Sequence, residues 1–582
     1  MGWEAGVTVG VLVLTFIALA KEWLPPPATF VSAVVALLVS RVITAEEAFA
    51  GFANPAPITV AALYVLARAV EKTGALQPLV AATLGKGSSR RGSLLRLVVP
   101  AAAASAFLNN TPIVAMLVPQ VSAWAERRGQ SPSRYLMPLS FAAILGGVVT
   151  VIGTSTNLVI SGLLEASGEP ALGMFEISAV GLPVALVGLA LIVLLSPALI
   201  PERRSVGAEL DEEFREFVLN MLVTPRGPLD GKSVEQGGLR RLQGVFLVEV
   251  DRRGEIIPVT PSTVLRGDDR LVFVGKADLV VDLQGMRGLV STEHQHTGGL
   301  DTARHTFFEA VVGKVSPLVG KTLKEVSFRA EYQAAVVAIH RAGGRVKAKL
   351  GQVKLQVGDT LVILADPQFR GRFRDRNDFL LVSMLGGAPP VTTGRAWLVG
   401  LVAVIIVGGA ALGLMPILHL SLLSAMLLVA TGVLTPSDAR NAVDLNVVVV
   451  IAAAFGLGAA MQSSGLAAFI AATLVGAFGG LGTTGVLVGL VVTTIVLLSL
   501  ITNNAAAVLM FPIAISAAGD LGVDARPFAI AIAVAASASF LTPIAYQTNL
   551  MVYGPGGYRF LDYARLGSVL TLAVVATIVA MT

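Results

Sequence analysis

Apolar runs fill both ends of the chain, and a stretch of different texture lies between them. Segments near 6–20, 28–43, 56–73 and 175–200 carry almost no charge, as do those near 396–416, 419–434, 446–462 and 566–582. Runs of this kind approach the ~20 apolar residues that cross a hydrocarbon core, so they predict membrane helices. Polar residues interrupt the pattern at four places. Asn109-Asn110-Thr111 stands inside "FLNNTPIVAMLVP", and Thr502-Asn503-Asn504 inside "LSLITNNAAAVLMFP". Gly153-Thr154-Ser155-Thr156-Asn157 and Ala545-Tyr546-Gln547-Thr548-Asn549 break two further apolar segments. An amide without a partner in hydrocarbon costs about 2–7 kcal/mol, so each interruption predicts that something is held there.

Between the apolar ends, short alternating runs separated by Gly-Asp turns predict strands. This stretch repeats itself. "PLDGKSVEQ" is answered by "PLVGKTLKE", "VEVDRRG" by "VAIHRAG", and "LRGDDRLVFVG" by "LQVGDTLVILA". Four blocks follow: a first membrane repeat over 1–202, small α+β modules over 203–295 and 296–390, and a second membrane repeat over 391–582. Neither a phosphate loop nor a dinucleotide glycine motif occurs, so nucleotide hydrolysis is not expected.

Composition agrees, at 54% hydrophobic and 14% charged residues over 582. Well over half of the charges and four of the five histidines fall between Arg203 and Leu385. The net charge of +5 gathers into no patch, which argues against a nucleic-acid partner. Zero cysteines exclude disulfides and thiol chemistry. The first residues lack a basic region and carry Glu4, so the first apolar run reads as a retained helix rather than a signal.

Basic clusters orient the chain, because Lys and Arg mark cytoplasmic loops. Lys86, Arg90, Arg91 and Arg96 precede the first polar tip, and Arg127, Arg128 and Arg134 follow it. About 30 residues lie between, room for two half-length helices at ~1.5 Å per residue. A re-entrant hairpin from the cytoplasm is expected, with Asn109-Asn110-Thr111 at its tip. "PERRS" then makes the insert 203–390 cytoplasmic. The second tip is flanked by Asp520 and Asp524 and is expected to enter from outside, with both termini outside. "NTPIVAMLVP" pairs with "NNAAAVLMFP", and "STNL" with "QTNL", at nearly the same separation and in opposite inferred orientation. That is the pattern of an inverted repeat with broken helices meeting at the midplane, as secondary transporters use.

Half-helix ends supply carbonyls for a cation and N–H groups for an anion. Asn and Thr add neutral donors and acceptors. Proton relays use intramembrane acids, yet Glu46, Glu47, Asp438 and Asp444 fall at span edges, and Arg68 is expected to snorkel. Gly456, Gly458, Gly479 and Gly480 read as packing glycines, and His419, His294 and His296 as loop residues. No nucleophile–base constellation appears, so an enzyme is not expected.

On these motifs the chain resembles the divalent anion/sodium symporter family of the ion-transporter superfamily, in a branch with two TrkA C-terminal domains between the membrane halves. That family carries Ser-Asn-Thr at each hairpin tip and Gly/Ala-Thr-Pro-Pro-Asn at each break. The resemblance implies sodium ligands at Ser105, Asn109, Asn110, Gly153 and Asn157, and a second set at Thr502, Asn503, Ala545 and Asn549. It implies substrate contacts at Asn110, Thr111, Thr156, Asn503, Asn504, Gln547 and Thr548. A homodimer, an elevator-type motion and a prokaryotic plasma membrane location follow from it too. TrkA C-terminal relatives sense small ligands, nucleotides among them, so the insert is expected to bind one or to serve assembly. Here the paired prolines are Ser155-Thr156 and Gln547-Thr548, and Leu498 stands where a hydroxyl ligand is expected. Extra donors suit a small tetrahedral oxyanion. The expected activity is sodium-coupled symport of sulfate. Dicarboxylate symport, sodium–proton or arsenite-type exchange, and a ligand-gated channel or sensor are the alternatives.

Overall fold

The computed structural model describes residues 2–21, 23–75, 89–203, 218–239, 245–252, 255–257, 259–275, 286, 288–291, 306–313, 316–341, 344–346, 348, 350–366, 368–373, 378–384 and 394–582. Lys86, His294, His296 and the expected junctions at 295–296 and 390–391 lie outside the described residues.

The chain is a polytopic helical membrane protein. Among the described residues six helical stretches are long and apolar enough to span: Ala45–Thr73, Ser178–Leu199, Leu445–Ser463, Leu466–Leu498, Asn503–Leu521 and Phe560–Met581. Shorter apolar helices surround them, including Trp3–Ala20, Pro26–Val39, Ala396–Ala411 and Ile417–Ala430. The two halves repeat one helix order. Pro26–Val39, Ala45–Ala53 and Pro55–Thr73 are answered by Ile417–Ala430, Pro436–Ala442 and Leu445–Ser463.

The acids at the span edges explain themselves as caps, because the first N–H groups of a helix lack intrahelical acceptors. Thr44 N donates to Glu47 Oε2 at 2.7 Å, and Glu47 N returns to Thr44 Oγ1 at 3.2 Å. Thr435 and Asp438 form the same box, at 2.9 and 3.1 Å. Asn54 and Asp444 then cap the long helices that follow, accepting from Ala56 N and Asn446 N. Arg68 reaches Glu71 one turn on, at 3.0 Å.

Three expectations shift. The charge-poor region before the second tip is two helices, Leu466–Phe478 and Gly482–Leu498, parted by the turn Gly479–Leu481. Gly480 meets open space and Gly482 adopts φ +69, so glycines here shape a reversal rather than a packing face. Gly456 does pack, facing Val34 and Ala48. His419 lies in the first turn of Ile417–Ala430, exposed, and not in a loop. The last helix starts at Phe560 rather than near 566, where Asp562 accepts from Arg559 N at 2.8 Å and pairs with Arg203 at 2.9 Å.

Among its described residues the insert holds two five-stranded antiparallel sheets. Strands β1 (Val218–Val223), β2 (Val245–Arg252), β3 (Glu255–Ile257), β4 (Arg270–Gly275) and β5 (Leu289–Ser291) lie in the order β3-β2-β4-β1-β5. Strands β6 (Thr306–Val311), β7 (Ala335–Arg341), β8 (Gly344–Arg345), β9 (Thr360–Ala365) and β10 (Leu381–Met384) lie as β8-β7-β9-β6-β10, the same topology. The repeated motifs supply equivalent clamps. Arg252 binds both oxygens of Asp269 at 2.7 Å, and Arg341 binds those of Asp359 at 2.7 and 2.8 Å. Each buried aspartate also accepts from a turn N–H, Arg266 or Gln356.

The second sheet is buried on both faces. One face carries Phe308, Ala310, Ile339, Leu361 and Ile363 into its own core. The other turns Val311 into the core of the membrane helices and sets Thr360 against Gly554. Gly358, at φ +84, abuts Leu550 and Tyr553. The sheet therefore rests on the short helix Gln547–Tyr553, and β10 reaches the helix Asn110–Glu126.

Candidate functional site

Four interruptions between helices build the site. Helix Arg90–Ser105 ends just before Asn109, which starts Asn110–Glu126, and Gly482–Leu498 ends just before Thr502, which starts Asn503–Leu521. Asn109 and Thr502 are the N-caps, accepting from Thr111 N and Ala505 N at 3.4 Å each. The other two interruptions are breaks. Ser133–Gly147 stops and Ser155–Ala166 resumes, while Ala525–Ala535 stops and Gln547–Tyr553 resumes. Glycine and small residues allow the close approach: a Cβ at Gly147 would meet the Asn110 amide at 2.5 Å.

Each tip bonds the break of the opposite half. Asn110 Nδ2 donates to the Tyr546 hydroxyl at 2.7 Å, and Thr111 Oγ1 donates to Gln547 Oε1 at 3.3 Å. From the other side, Ser155 and Thr156 donate to Asn504 Oδ1 at 3.2 and 3.3 Å. Ser105, fully buried, donates to Asn110 Oδ1 at 2.5 Å. The bonds between tips and breaks join residues 348 to 436 apart in the chain, and in them all four polar interruptions take part.

The breaks are held by one device used twice. Asn157 Nδ2 donates to Gly147 O at 3.1 Å and Thr150 O at 2.8 Å. Asn549 Nδ2 donates to Ser539 O at 2.8 Å and Thr542 O at 3.3 Å, at the same sequence distances. Both asparagines are fully buried. Gly153 sits where a Cβ would come within 2.5 Å of Gly147 O, 2.9 Å of Ser105 O and 3.0 Å of Ala106 O. Three carbonyl oxygens thus lie close about one glycine.

Of the residues expected from the sequence, Asn110, Thr111, Thr156, Asn504 and Gln547 lie on the crossing bonds, with Ser105, Gly153 and Asn157 close behind. Thr548 is fully buried and, with Asn549 Oδ1, accepts from Ser140 Oγ at 2.9 and 2.7 Å. Ala545 N accepts no role beyond donating to Thr542 Oγ1 at 3.3 Å, and Asn503 is 9% exposed. Sequence reasoning missed Tyr546, Ser140, Thr150 and Tyr64, whose phenol is electrostatically coupled to Tyr546 and Asn109. Tyr546 stood inside a quoted break and Ser140 was a polar interruption of "LMPLSFAAILGG". Tyr64 lies in an unbroken helix and gave no signal.

Comparisons with known proteins fit this architecture. The profile of the citrate transporter family matches residues 15–481 and 401–582. An uncharacterised transporter of Synechocystis sp. is 35% identical over 98% of this chain and 95% of its own length. A Chlamydomonas reinhardtii protein named for regulating the sulfur deprivation response is 34% identical over 93% of this chain and 95% of its own. Sodium/sulfate cotransporter 1 of the same alga is 26% identical over 98% of this chain and 88% of its own.

Proposed function

Since the chain belongs to the citrate transporter family and is a membrane transporter, we propose that it carries out sodium-coupled symport of a divalent inorganic anion, sulfate being the best fit. One observation carries the reading: uncharged tips and breaks from opposite halves converge on one cluster, bonded Asn110 to Tyr546 and Asn504 to Ser155 and Thr156. Amide, hydroxyl and backbone dipoles suit a doubly charged oxyanion beside a cation. The likeness to a sodium/sulfate cotransporter supports the same choice.

In this reading the tips are re-entrant hairpins of an inverted repeat, entering from opposite faces of a prokaryotic plasma membrane. The two sheets are TrkA C-terminal-like cytoplasmic domains that take a small ligand or assist assembly. The protein works as a homodimer with an elevator-type motion. A second reading, symport of a di- or tricarboxylate, draws on the family profile, which is that of citrate transporters.

Labelled sulfate uptake into proteoliposomes tests the proposal. Uptake should collapse when choline replaces sodium and should be outcompeted by excess sulfate but not by citrate. Asn110→Ala and Asn503→Ala should each cut uptake at least about tenfold, one lost ligand being worth ~1.4 kcal/mol, while still yielding folded protein. Sodium-independent uptake, or wild-type rates in both variants, would refute it.

A further inference from the structure

Helices Arg90–Ser105 and Asn110–Glu126 flank the first tip, and their opposite ends carry a second polar cluster. Arg90 opens the one, and Trp124 lies in the last turn of the other. Arg134 and Tyr135 belong to the first turn of Ser133–Gly147, and Glu202 follows Ser178–Leu199 where the chain leaves for the insert. These ends touch directly. Arg90 Nη1 donates to Pro197 O at 3.2 Å, Arg134 pairs with Glu202, and the Trp124 and Tyr135 rings meet edge-on at 5.0 Å. Helix Arg90–Ser105 has 16 residues, so about 24 Å of helix separates this cluster from the tip.

Donors outnumber acceptors here. Arg90 Nε and Nη2, Arg134 Nε and Trp124 Nε1 are buried and meet no acceptor among the described residues. Two guanidiniums share one carboxylate: Arg134 Nη2 binds Glu202 Oε1, and Arg90 Nη1 stands 4.0 Å from the same oxygen. Arg128, stacked over the Trp124 ring at 4.8 Å, adds a third positive charge. Stranded N–H groups on a buried cation are costly, and the like charges repel. An anion with several oxygens would relieve both. Glu202 holds the place of one, and its side chain, 54% exposed, can swing out into water.

We propose that this cluster is a binding site for a phosphate group, carried by an anionic lipid headgroup or as the free ion, with Arg90 and Arg134 clasping its oxygens in place of Glu202. Guanidinium forks match the geometry of phosphate oxygens. Arginines set beside Trp and Tyr at the ends of membrane helices form the kind of basic pocket that takes anionic headgroups. The site stands apart from the cluster at the tips, whichever anion is transported there. When occupied, it ties the helices flanking the first tip to the one that runs to the first break.

Thermal unfolding of the delipidated full-length protein in detergent tests it, titrated separately with phosphatidylglycerol, phosphatidylcholine and sodium phosphate at constant sodium and ionic strength. A saturable rise with phosphatidylglycerol alone assigns the site to a lipid headgroup, and a rise with sodium phosphate assigns it to the free ion. Arg90→Gln and Arg134→Gln should each raise the half-saturating concentration about tenfold, the worth of one charged hydrogen-bonded contact. Glu202→Gln removes the internal rival and should lower that concentration about tenfold, a gain that a merely structural role does not give. It carries the test if an arginine variant fails to fold. Arg96→Gln, at an exposed arginine of the same helix, should leave the value within about twofold. No response of the wild type to either phosphate source, or an equal response to phosphatidylcholine, would overturn the proposal. So would a loss in Arg96→Gln equal to that in Arg90→Gln, or Glu202→Gln binding no tighter than the wild type.

Discussion

Asn110 engages both ends of its amide inside the protein, accepting from Ser105 and donating to Tyr546. The Tyr546 oxygen thus lies where an oxygen of a bound anion would compete for the same N–H. Replacing it by Tyr546→Phe leaves a buried donor without an acceptor, at a cost of about 1–3 kcal/mol. The thermal unfolding midpoint should fall accordingly. Added sulfate should then restore more stability than it gives the wild type, because the freed amide takes up an anion oxygen. A sulfate response equal to that of the wild type would show that Asn110 does not reach the anion. Asp562, 2% exposed and paired with Arg203, makes a second residue-scale case. Asp562→Ala strands a guanidinium that is only partly solvated, and should lower stability by up to about 3 kcal/mol.

Among the elements, Gln547–Tyr553 bears load on both sides. Its start bonds the first tip, and its end carries the second sheet through Leu550, Tyr553 and Gly554. A side chain at Gly554 has no room, because its Cβ would clash with Thr360 Oγ1. Gly554→Val should unseat the sheet and raise amide hydrogen exchange together in β9 and in Gln547–Tyr553. Exchange confined to the sheet would show that the contact does not couple them. The same sheet face holds Glu309, 6% exposed, with Oε1 unpartnered. Burial pushes its carboxyl up to about 8, and Glu126 at the end of the first-tip helix adds repulsion. The folded form therefore holds the proton that the unfolded chain releases near 4.5. Stability is fully present below that pH, is lost progressively as pH rises through about 8, and is level above. Glu309→Gln should flatten this decline in a series of unfolding midpoints; an unchanged profile would mean that another group sets it.

For the whole molecule, charged pairs join the halves at both ends of the helix bundle. Arg203 holds Asp562 where the chain leaves for the insert, and Arg526 holds Glu176 and the carbonyl of Pro170 where the other half turns. Much of this architecture was legible in the residues. Charge-poor apolar runs, the four polar interruptions and the doubled Gly-Asp turns are local signals, each read from its own short stretch of chain. The split at Gly479–Leu481 escaped notice because unbroken hydropathy does not register a turn made of glycines.

What the sequence determined alone was where hydrocarbon-compatible helices stop and which polar side chains stand at the stops, since desolvation penalises an amide wherever it occurs in an apolar run. Which partner each one meets was decided only in three dimensions. Asn110 faces Tyr546, Thr111 faces Gln547, and Asn504 faces Ser155 and Thr156 because packing of the two halves sets their tips against each other's breaks. The same packing leaves Asn157 Oδ1 and an amide atom of Asn503 buried without a partner, which no local pattern in the chain foretells.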